Sequence, residues 1–362
     1  MAQSLLFIPD ISGFTKFVQT TEVEHSQHVI AELLEVLISA NTQELKLAEI
    51  EGDALFFYKE EVILSQEKLL AQVETMFTAF YSHLKILEKN RICPCNACAT
   101  APNLQLKIVV HSGQLQFLEV QGSHKPFGKQ VIEAHRLLKN SINSDRYVLI
   151  SKELVNIIGL PSNYKSKLFD FKVGSDVYDG LEVGYLVSSI DTANLNLKTY
   201  ADPRRVDFEH APNIVFKKQF DVSGEKLLEY ITNYKYRHKW VNGVDEFTFN
   251  ENEVTRLGTE HICVISGKHL DFVTITKDAK DGQLVYGELT TSPPPVDKLY
   301  QFYIIDPLTS SSCELTVELY WCAKSPIKKL IIALFAKRIF IKNSEEALDN
   351  LLAYTRANEL AQ

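Results

Sequence analysis

Apolar positions alternate between two periods along the chain, and the switches divide it. Leu5–Ile8 is a short apolar strand candidate, with Pro9-Asp10 read as its break and Gly13 allowing a tight turn. From Thr15 a helical period begins, and Val29, Leu33, Leu34 and Leu37 continue it on one face. Leu45–Ile50, then Glu51-Gly52-Asp53, then Ala54–Tyr58 read as strand, tight turn, strand. Ser65 to Glu88 is amphipathic, with Leu69, Val73, Met76, Phe77, Phe80, Leu84 and Leu87 as its stripe. Leu104–His111 and Leu115–Val120 are expected to form a second hairpin around Ser112-Gly113, followed by a helix over 128–139 and a strand at Tyr147–Ile150. This order predicts an α+β unit with helices on one face of a sheet.

A polar stretch, Asn194 to His210 with Asp202-Pro203-Arg204-Arg205, reads as a linker. After it come a strand at Asn213–Phe220, a helix over Ser223–Asn233 and five or six strand-like segments between Phe247 and Cys322. A long helix then runs from Ser325 to about Asn358, and its first part is apolar with interleaved lysines. The predicted domains are 1–195 and 206–362, in keeping with a length of 362 residues and domains of roughly 150–200.

Composition narrows the functional classes. A net charge of −8 gives no nucleic-acid footprint. No apolar window is long enough for a transmembrane span, and the N-terminus lacks the basic region of a signal peptide. The six cysteines are uneven, with Cys93, Cys95 and Cys98 clustered, so a secreted disulfide framework is not expected and a cytoplasmic setting is. Three thiolates plus a fourth ligand, with His83 and His111 as candidates, suit tetrahedral zinc at about 2.3 Å per sulfur. The competing reading is a loop of reduced thiols or one labile disulfide.

Three segments together resemble class III nucleotidyl cyclases, the adenylyl and guanylyl cyclases. Phe7-Ile8-Pro9-Asp10-Ile11-Ser12-Gly13-Phe14-Thr15 is similar to the family's first Asp segment, with the aromatic shifted by one. Gly52-Asp53 is similar to its second Asp hairpin, and Gly128-Lys129-Gln130-Val131-Ile132-Glu133-Ala134-His135-Arg136 to its third motif. Over residues 4–190 the resemblance implies a ferredoxin-like cyclase domain. Asp10 and Asp53 would hold Mg²⁺ or Mn²⁺, and Arg136 would serve a nucleoside triphosphate across a homodimer. Backbone N–H groups of Ile11, Ser12, Gly13, Phe14 and Thr15 would cradle phosphates. The plainer alternative is that Asp10 caps a helix and Asp53 fills a turn.

Departures from the pattern are specific. The ribose-orienting Asn is replaced by Ile132, which cannot hydrogen-bond a sugar. At the two purine-reading positions stand Glu49 and Lys125, the reverse of the adenylyl order of cation then anion. They either pair directly and close the base pocket, read a purine edge in a new way, or are two solvated charges.

Residues 206–362 resemble the helix-grip superfamily of START-type and polyketide-cyclase-like domains, a curved antiparallel sheet around a long C-terminal helix. That resemblance implies a cavity for a hydrophobic small molecule or lipid, with Phe247, Phe272, Tyr286, Tyr300, Phe302, Tyr303, Tyr320 and Trp321 as candidate lining. The expectation is a cyclase-like nucleotide-binding domain, weak or inactive, coupled to a hydrophobic-ligand sensor. The alternatives are an active cyclase with altered purine selection, and a lipid-binding module with a dead cyclase fold as dimeriser.

Overall fold

Strand β1 (Ser4–Ser12) runs straight through Pro9-Asp10, where the sequence predicted a break. It is flanked by β3 on one side and β4 on the other, and every residue except Asp10 is buried. A strand covered on both faces reads as a continuous apolar run, and such a strand tolerates Pro only where the ladder gives way. The ladder gives way here: β1 pairs with β3 at Phe7↔Phe57 and again at Asp10↔Ala54, with no partner at Ile8 or Pro9.

In a computed structural model the chain divides into two compact units, Met1–Ile86 with Thr100–Tyr200, and Leu87–Ala99 with Ala201–Gln362. The structure describes residues 2–120, 122–198, 204–251, 253–265, 267–291, 293 and 295–359. Asp202-Pro203 of the expected linker lie outside the described residues.

After β1 come α1 (Phe14–Thr20), α2 (Val23–Ser39), β2 (Lys46–Glu51), β3 (Ala54–Lys59) and α3 (Gln66–Lys89). The whole apolar stripe expected on α3 is buried. A short helix α4 (Asn96–Thr100) precedes β4 (Gln105–Gly113), β5 (Gln116–Val120) and β6 (Ser123–Phe127). Then follow α5 (Lys129–Leu138), β7 (Tyr147–Ser151), α6 (Lys152–Ile158), β8 (Lys172–Tyr178) and β9 (Leu181–Ser189). The main sheet has the order β2-β3-β1-β4-β7-β9-β8, antiparallel except for β4 with β7. The predicted β4–β5 hairpin does not form. β4 is a central strand between β1 and β7, and β5 pairs with β6 in a separate ribbon. α5 lies against the sheet through Ala134, which joins Leu6, Ile8, Ala54 and Phe56.

The second unit contains β10 (Ile214–Phe220), α7 (Gly224–Thr232), α8 (Arg237–Trp240), β11 (Glu246–Thr248), β12 (Glu260–Ile265) and β13 (Lys268–Ile275). It continues with β14 (Leu284–Thr291), β15 (Lys298–Thr309), β16 (Ser312–Cys322), α9 (Pro326–Ile331), a π-helical turn (Ile332–Ala336) and α10 (Lys337–Glu359). Its sheet is antiparallel throughout, in the order β10-β16-β15-β14-β13-β12-β11. One cluster joins Tyr286, Tyr303 and Val317 to α7, Trp240, and Leu348 and Leu351 of α10. A second cluster joins Phe302, Ile304 and Tyr320 to Val206 and Phe208. Of the aromatics expected to line one cavity, Tyr286 and Tyr303 lie in the first cluster, Tyr300, Phe302 and Tyr320 in the second, and Trp321 packs with Val296 and Ile332 in another.

Candidate functional site

The β1 end and the β2–β3 turn bring two carboxylates together. Gly52, at φ 68°, opens the turn that presents Asp53. The Ile11 amide donates to the Asp53 carbonyl at 3.0 Å, locking the turn onto β1 one residue beyond Asp10. That amide is thereby withdrawn from the set expected to cradle phosphates. Gly13 occupies the N-cap of α1 in a left-handed conformation, and no side chain caps the helix. Asp10 is thus free of the capping role that was its plainer alternative.

Burial pushes the Asp10 carboxyl up to about 6 from 3.8; Lys107 pulls it down and Asp53 pushes it further up. Burial likewise raises Asp53, against its own backbone N–H and Lys107. Lys107 was not singled out from sequence. It lies on β4 opposite Asp10 in register, with Nζ 3.4 Å from Oδ1. Strand pairing placed it there, and a lone lysine in an apolar strand was the one available signal. Ser12 is buried and its hydroxyl finds no partner among the described protein atoms. Asp10 and Asp53 are near enough to act on each other electrostatically, and carboxylate oxygens are the donors that Mg²⁺ and Mn²⁺ take.

Glu49 and Lys125, expected at the purine-reading positions, pair with each other. Lys125 Nζ lies 3.2 Å from Glu49 Oε1, linking β6 to β2. Both side chains are about half exposed (45% and 46%), so the pair contributes under about 1 kcal/mol. Ile132 stands exposed on α5. Arg136 is ion-paired within the chain to Asp179, in the turn between β8 and β9. The two histidines offered as zinc ligands have other partners: His83 Nε2 is 2.7 Å from Glu32, and His111 Nε2 is 2.7 Å from Gln130. The three cysteine sulfurs of the 93–98 loop lie within 4.8 Å of one another. The Cys98 amide is 3.4 Å from Cys95 Sγ, and hydrogen bonding from Cys93 and Cys95 holds the Cys98 thiol protonated well above its ordinary range.

The second unit holds a buried polar network. Arg237 of α8 is ion-paired to Glu288 of β14, with side chains 5% and 4% exposed. Its Nε donates to the Ile231 carbonyl at 3.0 Å. Tyr286 donates to Glu288 at 2.5 Å and lies 3.1 Å from the Tyr234 hydroxyl. The Trp240 ring lies 5.1 Å from the guanidinium. Burial acts to raise Glu288, but Arg237, His261 and Tyr286 hold it below its usual value. Sequence reasoning missed this network because Arg237 and Glu288 are 51 positions apart.

Among known proteins, a family model described as "Protein of unknown function (DUF2652)" matches residues 30–147. An uncharacterised protein of Mycobacterium tuberculosis, Rv2561/Rv2562, is 31% identical over 122 residues, which is 34% of this chain and 57% of that protein. The chain thus spans little more than half the length of the curated relative it matches. Solved structures similar over about half the chain include cyclase domains. The catalytic core of a rhodopsin-guanylyl cyclase with converted specificity, in complex with ATPαS, is 17% identical, over 52% of this chain and 97% of that one, at a TM-score of 0.38. The adenylyl cyclase CyaB from P. aeruginosa is 16% identical, over 53% and 95%, at 0.38. The guanylate cyclase domain of RhGC from Catenaria anguillulae, in complex with GTP, is 18% identical, over 52% and 98%, at 0.36.

Proposed function

We propose that the N-terminal unit is a cyclase-like domain that binds a nucleoside triphosphate with a divalent cation and turns it over slowly or not at all. The observation that carries this reading is the joining of Asp10 and Asp53 at the β1–β3 ladder, with the Ile11 amide on the Asp53 carbonyl. Asp10 and Asp53 would hold Mg²⁺ or Mn²⁺, which when bound neutralises triphosphate charge and acidifies a ribose hydroxyl. Lys107 already supplies one positive charge to the pair, which a divalent ion would have to displace or share. Ile132 offers the ribose no hydrogen bond, and a lost orienting contact typically costs about 10²–10³ in rate. The Glu49–Lys125 pair must open before either group reads a purine, and Arg136 must leave Asp179 before it meets a triphosphate. A head-to-tail homodimer would give it one, on its partner's carboxylate pair; exposed Ile50, Phe127 and Ile132 support such a contact. The test is a turnover assay of the unmodified chain and Ile132→Asn with ATP and GTP. Little cyclic product from the first and more from the second support the reading; robust product from the unmodified chain refutes the expectation of low turnover.

For the C-terminal unit, the antiparallel sheet and its closing helix support a helix-grip domain that holds a hydrophobic small molecule and senses it. For the cysteine loop, the convergence of three sulfurs supports structural zinc, with a fourth ligand from elsewhere. Elemental analysis should give about one zinc per chain, lost in Cys95→Ser. Alanine substitution of each histidine in turn identifies the fourth ligand. Fully titratable thiols in native, metal-free protein would contradict it.

A further inference from the structure

We propose that the start of the closing helix, residues 326–342, docks on the surface of an anionic lipid bilayer. An apolar run with interleaved lysines suits either a membrane-surface helix or the buried face of a closing helix. The structure gives it both an inward and an outward side. Inward, Ile332 and Ala336 are buried with Val296 and packed by Leu299, Trp321 and Phe340. Outward, Ile327, Leu330, Ile331 and Leu334 follow one another at helical spacing and are 70%, 60%, 42% and 54% exposed. Phe335 and Ile339 beside them are 65% and 57% exposed. The π-helical turn Ile332–Ala336 carries Leu334 and Phe335 at the centre of this stripe. Such turns are rare and often found at functional sites.

Charge identifies the occupant. Lys324, Lys329, Lys337, Arg338 and Lys342 are all exposed around the stripe, and Lys328 is ion-paired to Asp297. No Asp or Glu occurs from Leu319 through Ser344, in a chain whose net charge is −8. A second copy laid face to face on this stripe would oppose cation to cation. An anionic bilayer satisfies both features, with the apolar stripe in the headgroup boundary and the cations on the phosphates. Among the described residues no helix is long and apolar enough to cross a membrane, so the mode inferred is adsorption.

The experiment is co-sedimentation of the full chain with phosphatidylcholine vesicles and with vesicles containing phosphatidylserine. Binding to the serine-containing vesicles alone, reversed by about 0.5 M salt as charges are screened, is expected. Lys337→Glu with Arg338→Glu should weaken it more than ten-fold, and Leu334→Ser with Phe335→Ser should do the same. All four side chains are exposed, and unchanged Trp240 and Trp321 emission would show that the fold survives. Equal binding to both vesicle types, or no binding, overturns the proposal. Loss of a dimer by sedimentation velocity in the Leu334→Ser, Phe335→Ser variant, with vesicle binding unchanged, would overturn it in favour of a contact between copies.

Discussion

Glu288→Gln isolates the most heavily buried charge in the second unit. The carboxylate receives Arg237 and the Tyr286 hydroxyl, and His261 Nε2 lies 3.8 Å away. The amide keeps the shape and removes the charge. Arg237, 4% exposed, is then left with a carbonyl, hydroxyls and aromatic faces but no counter-ion. Breaking one side of a buried pair costs about 3–5 kcal/mol. For a unit of this size that lowers Tm by roughly 6–20 °C. Both tryptophans, Trp240 and Trp321, belong to this unit, so fluorescence-detected unfolding reports on it selectively. Removing both partners, as Arg237→Leu with Glu288→Leu, should cost much less than the single change, because no orphan charge remains. A single variant within about 0.5 kcal/mol of the parent, or a double variant as damaged as the sum, would show that the orphaned charge does not carry this cost.

Two further outcomes are expected. Burial holds the His261 imidazole neutral, lowering it from 6.5 to about 4. The unfolded chain therefore binds more protons between those values, and the second unit should lose up to about 3 kcal/mol as pH falls from 6.5 to 4, with no change above 6.5. Urea unfolding against pH measures this, and His261→Phe should flatten the slope. Gly113→Ala should destabilise the first unit by about 1–3 kcal/mol, since a Cβ there would stand 2.4 Å from Gln130 Cγ and drive Gln130 off buried His111. Hydrogen exchange in residues 105–113 reads it.

What the sequence revealed follows what is local. The α3 stripe, the Gly52-Asp53 turn and the strand–helix order of the second unit all show in neighbouring residues. Pro9 suggested a strand end, because a missing N–H usually ends a ladder; here β4 continues the pairing at Pro9↔Ile108 while β3 skips it. The supposed Ser112-Gly113 hairpin failed for a related reason. Leu106, Ile108, Val109 and Val110 are buried in a strand paired on both sides to strands remote in sequence, and local turn chemistry cannot reveal that. Lys107 and the Arg237–Glu288 pair escaped notice because strand register and helix packing bring them to their partners. The Glu49–Lys125 pair was legible as one of three options, since the two residues carry opposite charges.

The proposed role of Asp10 and Asp53 is to hold a divalent cation for a nucleoside triphosphate. Calorimetric titration of the full chain with ATP and with GTP, each with Mg²⁺ and with Mn²⁺, tests it most directly, alongside Asp10→Asn and Asp53→Asn shown by circular dichroism to be folded. Metal-dependent binding of at least one nucleotide is expected, weakened more than ten-fold in both variants. Binding of equal strength in the parent and both variants, or no binding of either nucleotide with either metal, would contradict it.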